Sequence, residues 1–92
     1  MNGGERRVVH FRGRVQGVGF RFTTLRIAAE FTVTGYVQNL PDGQVLVVAE
    51  GRPDELDGFL DRLNTEMAPY IRDAHVTTGP ASGEFDSFDV RY

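Results

Sequence analysis

Residues 13–21 read Gly-Arg-Val-Gln-Gly-Val-Gly-Phe-Arg, and this stretch guides the interpretation of the whole chain. It holds three glycines and two arginines, and it contains no acidic residue. Glycines allow the backbone to turn sharply and to point successive N–H groups at one spot, which is how concave backbone segments bind anions. A helix that begins at the end of this stretch would add partial positive charge from its N-terminus. The stretch therefore predicts a site for a phosphate-like dianion that requires no metal ion.

Two common phosphate-binding motifs do not fit these residues. The Walker motif requires Lys and then Ser or Thr after its last glycine, whereas Gly19 is followed by Phe20 and Arg21. The dinucleotide-binding motif could begin at Gly17, but it reaches Phe22 where its third glycine should stand. We therefore expect a phosphate-binding loop of a different kind.

The hydrophobic pattern predicts seven secondary-structure elements. Strands are predicted at 6–12, 34–39, 44–50, 74–78 and 88–92, and helices at 21–31 and 53–66. The order β-α-β-β-α-β with an additional strand at the carboxyl end predicts an α+β, ferredoxin-like sandwich. We expect two helices on one face of an antiparallel sheet, with strand 44–50 at its centre.

Each predicted helix has an apolar stripe. For the first helix the helical spacing indicates a buried face of Phe22, Leu25, Ala28 and Ala29. For the second helix it indicates Leu56, Phe59, Leu60 and Leu63, with Pro53 at the first helical position.

The predicted topology brings two distant polar residues together. A right-handed crossover makes the first two strands parallel, and the third strand returns between them. Both parallel strands then end at the same edge of the sheet, where residues 13–20 leave the first strand and Asn39 ends the second. Arg21 and Asn39 are eighteen residues apart in sequence, yet we expect them beside one cavity.

Such a site would suit phosphoryl transfer, which depends mainly on positioning and charge stabilisation. Arg21 can bind two phosphoryl oxygens through its planar guanidinium, and backbone N–H groups can bind the third. Asn39 can orient a water molecule in line with the bond to be broken. No acid is available to protonate the leaving group, so the site favours a carboxylate, whose acid has a pKa of about 4, over an alkoxide.

Composition limits the alternatives. The 92 residues contain no cysteine and only two histidines, so we expect one domain, 1–92, without a disulfide or a metal centre. The net charge of −3 disfavours nucleic acid, although residues 1–26 hold six arginines and one acid and could attract a small anion. No apolar run is long enough for a membrane span or a signal peptide, and a cytoplasmic protein is expected.

Two segments resemble the signatures of the acylphosphatase family. Residues 13–21 fit its pattern Gly-x-Val-Gln-Gly-Val-x-Phe-Arg at every specified position. Residues 35–45, Gly-Tyr-Val-Gln-Asn-Leu-Pro-Asp-Gly-Gln-Val, fit a second signature that runs from a Gly-aromatic pair through an Asn to a glycine turn. The resemblance implies hydrolysis of small-molecule acyl phosphates to carboxylate and inorganic phosphate, without a cofactor, and with phosphate as product or inhibitor.

The resemblance also assigns roles to residues. It implies that Arg21 binds phosphate and that Asn39 holds the attacking water. The phosphate cradle would be formed by Arg14, Val15, Gln16, Gly17, Val18, Gly19 and Phe20. One departure from the family pattern is Thr32, which stands where relatives often have a helix-ending glycine, and we expect it to weaken the end of the first helix.

Other interpretations remain open at this stage. Asn39 could simply cap the turn at 40–43 through its side chain. His10 lies in a strand outside both signatures and is expected to be structural. The main alternative function is a non-catalytic ferredoxin-like binding or regulatory module, since this fold serves many functions.

Overall fold

The computed structural model describes residues 4–92, which form five strands and two helices in the predicted order. The elements are β1 Glu5–Gly13, α1 Phe20–Ala28, β2 Val33–Asn39, β3 Val45–Gly51, α2 Pro53–Glu66, β4 Ile71–Pro80 and β5 Phe88–Arg91. A short 3₁₀ helix, Ala68–Tyr70, precedes β4 and was not predicted. Neither helix among these residues is long and apolar enough to cross a lipid bilayer.

The strands form one sheet in the order β4-β1-β3-β2-β5, with β3 in the centre as the sequence predicts. Both β1 and β2 pair antiparallel to β3, so they are parallel to each other. Phe11 lies level with Val45, and Val45 lies level with Asn39. The carboxyl ends of β1 and β2 therefore lie side by side at the same end of the sheet, as expected from the topology.

The fifth strand departs from the expected antiparallel sheet. β5 pairs parallel to β2, with Gln38 opposite Arg91. The reason is that β4 and β5 occupy opposite edges of the sheet, so the chain crosses the whole sheet between them. It then enters the far edge in the direction of β2, and the carboxyl end of β5 joins those of β1 and β2.

The hydrophobic core lies between the helices and one face of the sheet. Alternate residues of the central strands are fully buried there, including Phe11, Val37 and Val47. The predicted stripe of α2 is confirmed, because its buried residues are Leu56, Phe59, Leu60 and Leu63. Pro53 begins this helix, also as predicted.

The predicted face of α1 is wrong in part. The buried residues of this helix are Phe20, Thr24, Ile27 and Ala28, whereas Phe22 is 72% exposed and Leu25 is 38% exposed. The Thr24 hydroxyl donates a hydrogen bond of 2.7 Å to the carbonyl oxygen of Phe20. Because this bond satisfies its only polar group, Thr24 can occupy a core position that the apolar pattern assigned elsewhere.

The end of α1 also differs from the prediction. The helix stops at Ala28, and the bonds from Glu30 N–H to Ile27 O and from Phe31 N–H to Ala28 O tighten the turn that follows. No residue of 4–92 other than glycine has a positive φ. Thr32 therefore avoids the left-handed conformation, and its N–H donates to the Glu55 carboxylate at 2.6 Å. The left-handed backbone from which the weakness was expected is therefore absent at Thr32, and the stability of this helix end stays a prediction.

The other face of the sheet is crossed by residues 81–87, called the crossover segment below. Glu50 on the central strand is only 4% exposed and accepts three hydrogen bonds from this segment. The donors are Ser82 N–H at 2.9 Å, Ser82 Oγ at 2.8 Å and Gly83 N–H at 2.9 Å. The Phe85 ring packs against Tyr36 with 5.8 Å between ring centroids. The crossover segment is thus attached at the middle of the sheet.

Candidate active site

A cleft of about 340 Å³ lies at the end of the sheet where the carboxyl ends of β1, β2 and β5 meet. It is lined by Val15, Gly17, Gly19, Phe20, Arg21, Phe22, Leu25, Asn39, Val90 and Tyr92. The cleft therefore brings Arg21 and Asn39 together, as the topology predicts. Among residues 4–92, no acidic side chain lines it.

Residues 13–19, called the glycine loop below, give the cleft its backbone donors. Gly17 and Gly19 have φ values of 78° and 79°, in the left-handed region that side chains other than glycine rarely adopt. Gly19 immediately precedes α1, and the first helical hydrogen bond is from Thr23 N–H to Gly19 O at 2.9 Å. Within the described residues, the N–H groups of 17–22 donate no hydrogen bond. A helix N-terminus with free donors is an anion-binding arrangement.

Packing beneath the loop holds it in place. Val15 and Phe20 are 0% and 2% exposed, and the Phe20 ring lies 5.0 Å from that of Phe11 in β1. Val18 packs against the edge of the same core. These apolar anchors on both sides of Gly17 fix the backbone, so the anion site is formed in advance.

Gln16 connects the loop to the second signature. Its Nε2 donates to the carbonyl oxygens of Leu40 at 2.8 Å and Gln44 at 2.9 Å. These carbonyls belong to the turn between β2 and β3, which directly follows Asn39. Gln16 does not line the cleft. It positions the two halves of the site relative to each other.

Arg14 is placed away from the cleft, contrary to its expected membership of the phosphate cradle. Its backbone N–H donates to Tyr70 O at 2.9 Å, and the residue lines a separate groove with Tyr70 and Arg72. The loop turns into the cleft only after this point. The loop therefore lines the cleft at Val15, Gly17 and Gly19 and not at Arg14.

Arg21 is available to an anion. Six arginines among residues 4–92 form ion pairs with carboxylates, and Arg21 is not one of them. Its guanidinium carbon lies 5.1 Å from the centroid of the Tyr92 ring, within the range of a cation–π contact. A cation near a helix N-terminus is unfavourable unless an anion compensates for it. The placement of Arg21 is consistent with an anion bound in the cleft.

Asn39 contributes an acceptor without a donor. Its Oδ1 atom is buried, and no donor among residues 4–92 lies within hydrogen-bond distance of it. Leaving a buried acceptor unpaired costs about 1–3 kcal/mol. The turn at 40–43 is instead closed by Gly43 N–H to Leu40 O, and the N–H of Gln44 is bound by Asp42. The turn is thus formed without a cap from Asn39.

Sequence reasoning missed four residues of the cleft: Phe22, Leu25, Val90 and Tyr92. The apolar pattern assigns Phe22 and Leu25 to the core and gives Val90 and Tyr92 no role in the site. Arg21 and Leu25 are four residues apart, so on a helix they share a face, and this spacing was a usable signal. The two residues at the end of the chain could be found only through the parallel pairing of β5.

The histidines lie elsewhere. His10 and His75 are opposite each other on β1 and β4, and His10 Nδ1 lies 3.2 Å from Gln44 Oε1. Neither residue lines the cleft. Within the described part of the chain, no group of three or more His, Asp or Glu side chains is arranged to hold a metal ion.

Comparison with known proteins identifies the family. A sequence model described as "Acylphosphatase" matches residues 7–90. The chain belongs to the acylphosphatase family. An acylphosphatase of Arthrobacter sp. is 48% identical over 82 residues, which are 87% of this chain and 74% of that protein. An acylphosphatase of Archaeoglobus fulgidus is 39% identical over 85 residues, which are 91% of this chain and 94% of that protein.

A solved structure gives the same result for the fold. The crystal structure of acylphosphatase from Bacillus subtilis matches with a TM-score of 0.83 and 29% sequence identity. The match covers 97% of this chain and 99% of that one. The ferredoxin-like fold expected from the sequence is therefore confirmed as the fold of an acylphosphatase.

Proposed function

We propose that the cleft hydrolyses acyl phosphates to a carboxylate and inorganic phosphate. The observation that carries this proposal is one cleft that Arg21 and Asn39 line together, beside the free backbone donors of the glycine loop. Membership of the acylphosphatase family supports the same reaction.

In this proposal Arg21 and the loop bind the phosphoryl group. The guanidinium binds two oxygens side by side, and N–H groups from Gly17 to Phe22 surround the third. These donors are fixed before substrate arrives, so little reorganisation is needed as charge develops.

Asn39 positions the attacking water. Its carbonyl oxygen accepts a hydrogen bond from the water, which leaves a lone pair of the water directed at phosphorus. The water oxygen forms the new P–O bond, and the bond from phosphorus to the acyl oxygen breaks. The carboxylate leaves with the electron pair, and the proton lost by the water passes to a phosphoryl oxygen of the substrate.

The absence of an acidic side chain from the described lining of the cleft limits the substrates. A carboxylate leaves unprotonated because the pKa of its acid is about 4. An alkoxide would need a proton from a general acid. The site is therefore matched to mixed anhydrides of carboxylic and phosphoric acids, and a small-molecule substrate in the cytoplasm is the proposed setting.

A single assay tests this function. Purified protein should hydrolyse benzoyl phosphate in the presence of EDTA, inorganic phosphate should inhibit competitively, and an alkyl ester such as glycerol phosphate should be a poor substrate. Rapid hydrolysis of the ester would contradict the leaving-group argument. Phosphate binding without turnover of any acyl phosphate would favour a non-catalytic binding module instead.

A further inference from the structure

Two large apolar side chains of α1 are exposed beside the proposed phosphate site. Phe22 is 72% exposed and Leu25 is 38% exposed, and both line the cleft that contains Arg21. Scattered exposed apolar residues need no explanation, but apolar residues that share a concave site with a cation form part of that site.

Helix geometry places these side chains next to the phosphate-binding group. Leu25 follows Arg21 by four residues and Phe22 by three, so all three lie on one side of α1. Across the cleft, β5 and the residue after it supply Val90 and Tyr92. We call Phe22, Leu25, Val90 and Tyr92 the apolar wall. None of the four has an amide or a charged side chain.

We propose that the apolar wall binds the acyl group of the substrate and selects acyl phosphates with large aliphatic or aromatic acyl groups. This inference rests on the proposed function, because it assumes that the phosphoryl group lies between Arg21 and Asn39. The hydrocarbon then extends along Phe22 and Leu25, where its burial removes apolar surface from water. Acetyl and carbamoyl phosphates are too short or too polar to benefit.

The size of the cleft is sufficient for both the phosphoryl group and an acyl group. At about 340 Å³ it lies within the range of about 300–1,000 Å³ that is typical of small-molecule sites. The backbone donors and Arg21 serve the phosphoryl end, and the apolar wall serves the remainder.

The test is a series of acetyl, butyryl and hexanoyl phosphates with carbamoyl phosphate alongside. We expect kcat/KM to rise by about two- to fourfold for each methylene that contacts the wall, and carbamoyl phosphate to rank with acetyl phosphate. Phe22→Ala and Leu25→Ala should each lower the ratio of the hexanoyl to the acetyl kcat/KM by about fivefold or more. Val76→Ala removes a half-exposed valine of β4 outside the cleft and should leave the ratio unchanged.

The result that would overturn the inference is equal kcat/KM for acetyl and hexanoyl phosphates, or a ratio that both α1 variants leave intact. If no acyl phosphate is hydrolysed at all, the proposed function fails and calorimetry with non-hydrolysable acylphosphonates tests the wall separately. Their affinity should still rise with chain length and should lose that dependence in Phe22→Ala. If the affinity did not depend on chain length, the proposed role of the apolar wall in binding the acyl group would be refuted.

Discussion

At the scale of single residues, Asn39 gives the clearest sign that this fold carries a reaction. A buried carbonyl oxygen with no donor among residues 4–92 costs stability, and no structural benefit to the adjacent turn offsets that cost. Acceptors of this kind are expected where a ligand or water completes the hydrogen bonding. The unpaired side-chain oxygen thus accounts both for the cost in stability and for the role that we propose for Asn39.

Replacing Asn39 by alanine should separate catalysis from binding. We expect Asn39→Ala to lower kcat for benzoyl phosphate by about 100-fold or more, because the water loses its orienting acceptor. The inhibition constant for inorganic phosphate should stay within about threefold, since phosphate is bound by other groups. Steady-state kinetics with and without phosphate measure both quantities.

The neighbouring residue provides the control for this variant. Gln38 lies in the same strand but does not line the cleft, so Gln38→Ala should keep both constants near their parent values. A parallel loss of phosphate affinity in Asn39→Ala would show that Asn39 binds the phosphoryl group rather than water.

Replacing Arg21 should instead abolish both properties together. Without the guanidinium, phosphate loses its only charged partner in the described cleft, and we expect kcat/KM to fall by about 10³-fold or more. Competition by inorganic phosphate should disappear in the same assay. Arg26→Ala is the matched control, because Arg26 lies on the same helix and pairs with Glu66. Retained phosphate inhibition in Arg21→Ala would contradict the assignment.

At the scale of secondary-structure elements, β2 depends on a close approach at Gly35. This residue has a φ of 138°, and a Cβ atom there would lie 1.9 Å from the carbonyl oxygen of Val48 in β3. We expect Gly35→Ala to destabilise the protein by about 3 kcal/mol, the upper end of the usual range for overpacking. Chemical denaturation measures the loss.

The strand β4 offers a control for that substitution. A Cβ atom at Gly79 would meet nothing within 4 Å, and its φ lies outside the strained range. Gly79→Ala should therefore leave the denaturation midpoint close to that of the parent. If Gly35→Ala were equally harmless, β2 and β3 could separate locally without cost.

Much of the secondary structure could be predicted from sequence, and the predictions that were wrong have physical causes. Alternation in the strands and the stripe of α2 were sufficient because each side chain there is simply apolar or polar. In α1 the pattern failed because Thr24 satisfies its hydroxyl within the helix and takes a core position. The apolar pattern therefore places Phe22 in the core, whereas the structure places it in the cleft.

The site shows the same division. Arg21 and Asn39 could be placed together because strand topology alone fixes the edge at which they lie. Val90 and Tyr92 could not be placed, because nothing local in the sequence of β5 specifies which neighbour it joins or in which direction. That choice depends on the path of residues 81–87 across the sheet.

At the scale of the whole molecule, Glu50 fixes that path. Burial acts to raise the pKa of its carboxyl, but hydrogen bonds from Ser82 and Gly83 and the charge of Arg6, whose Nε lies 3.5 Å away, together hold the pKa below its ordinary value of 4.5. A carboxylate with a lowered pKa in the folded state stabilises the protein above its unfolded pKa. That contribution is lost as pH falls through the folded pKa.

The variant Glu50→Gln should therefore be less stable than the parent at neutral pH, by about 1–3 kcal/mol, because charge-assisted hydrogen bonds to the crossover segment are weakened. The difference should shrink as pH falls from the ordinary value of 4.5 through the lower pKa of the folded protein, at which the parent carboxylate becomes protonated. The measurement is thermal unfolding of both proteins from about pH 3 to about pH 7. This range of about four pH units includes the ordinary pKa of the carboxyl.

Comparison of the two proteins at each pH isolates Glu50. Hydrogen bonds from Arg62 also lower the pKa of Glu30 and Glu66, but these groups are present in parent and variant alike. Asp61→Asn changes a carboxylate outside the described ion pairs and should not alter the pH profile. A stability difference that stays constant down to pH 3 would argue against the charge of Glu50.

The crossover segment also connects the two edge strands of the sheet, β4 and β5. β5 contributes only Phe88–Arg91, and its covalent link to the rest of the fold passes beneath the central strand and is anchored there by Glu50. A single protease cleavage between 81 and 87 would leave β5 held to the sheet by noncovalent pairing alone. Its departure would remove Val90 and Tyr92 from the cleft while Arg21, Asn39 and the glycine loop stayed intact.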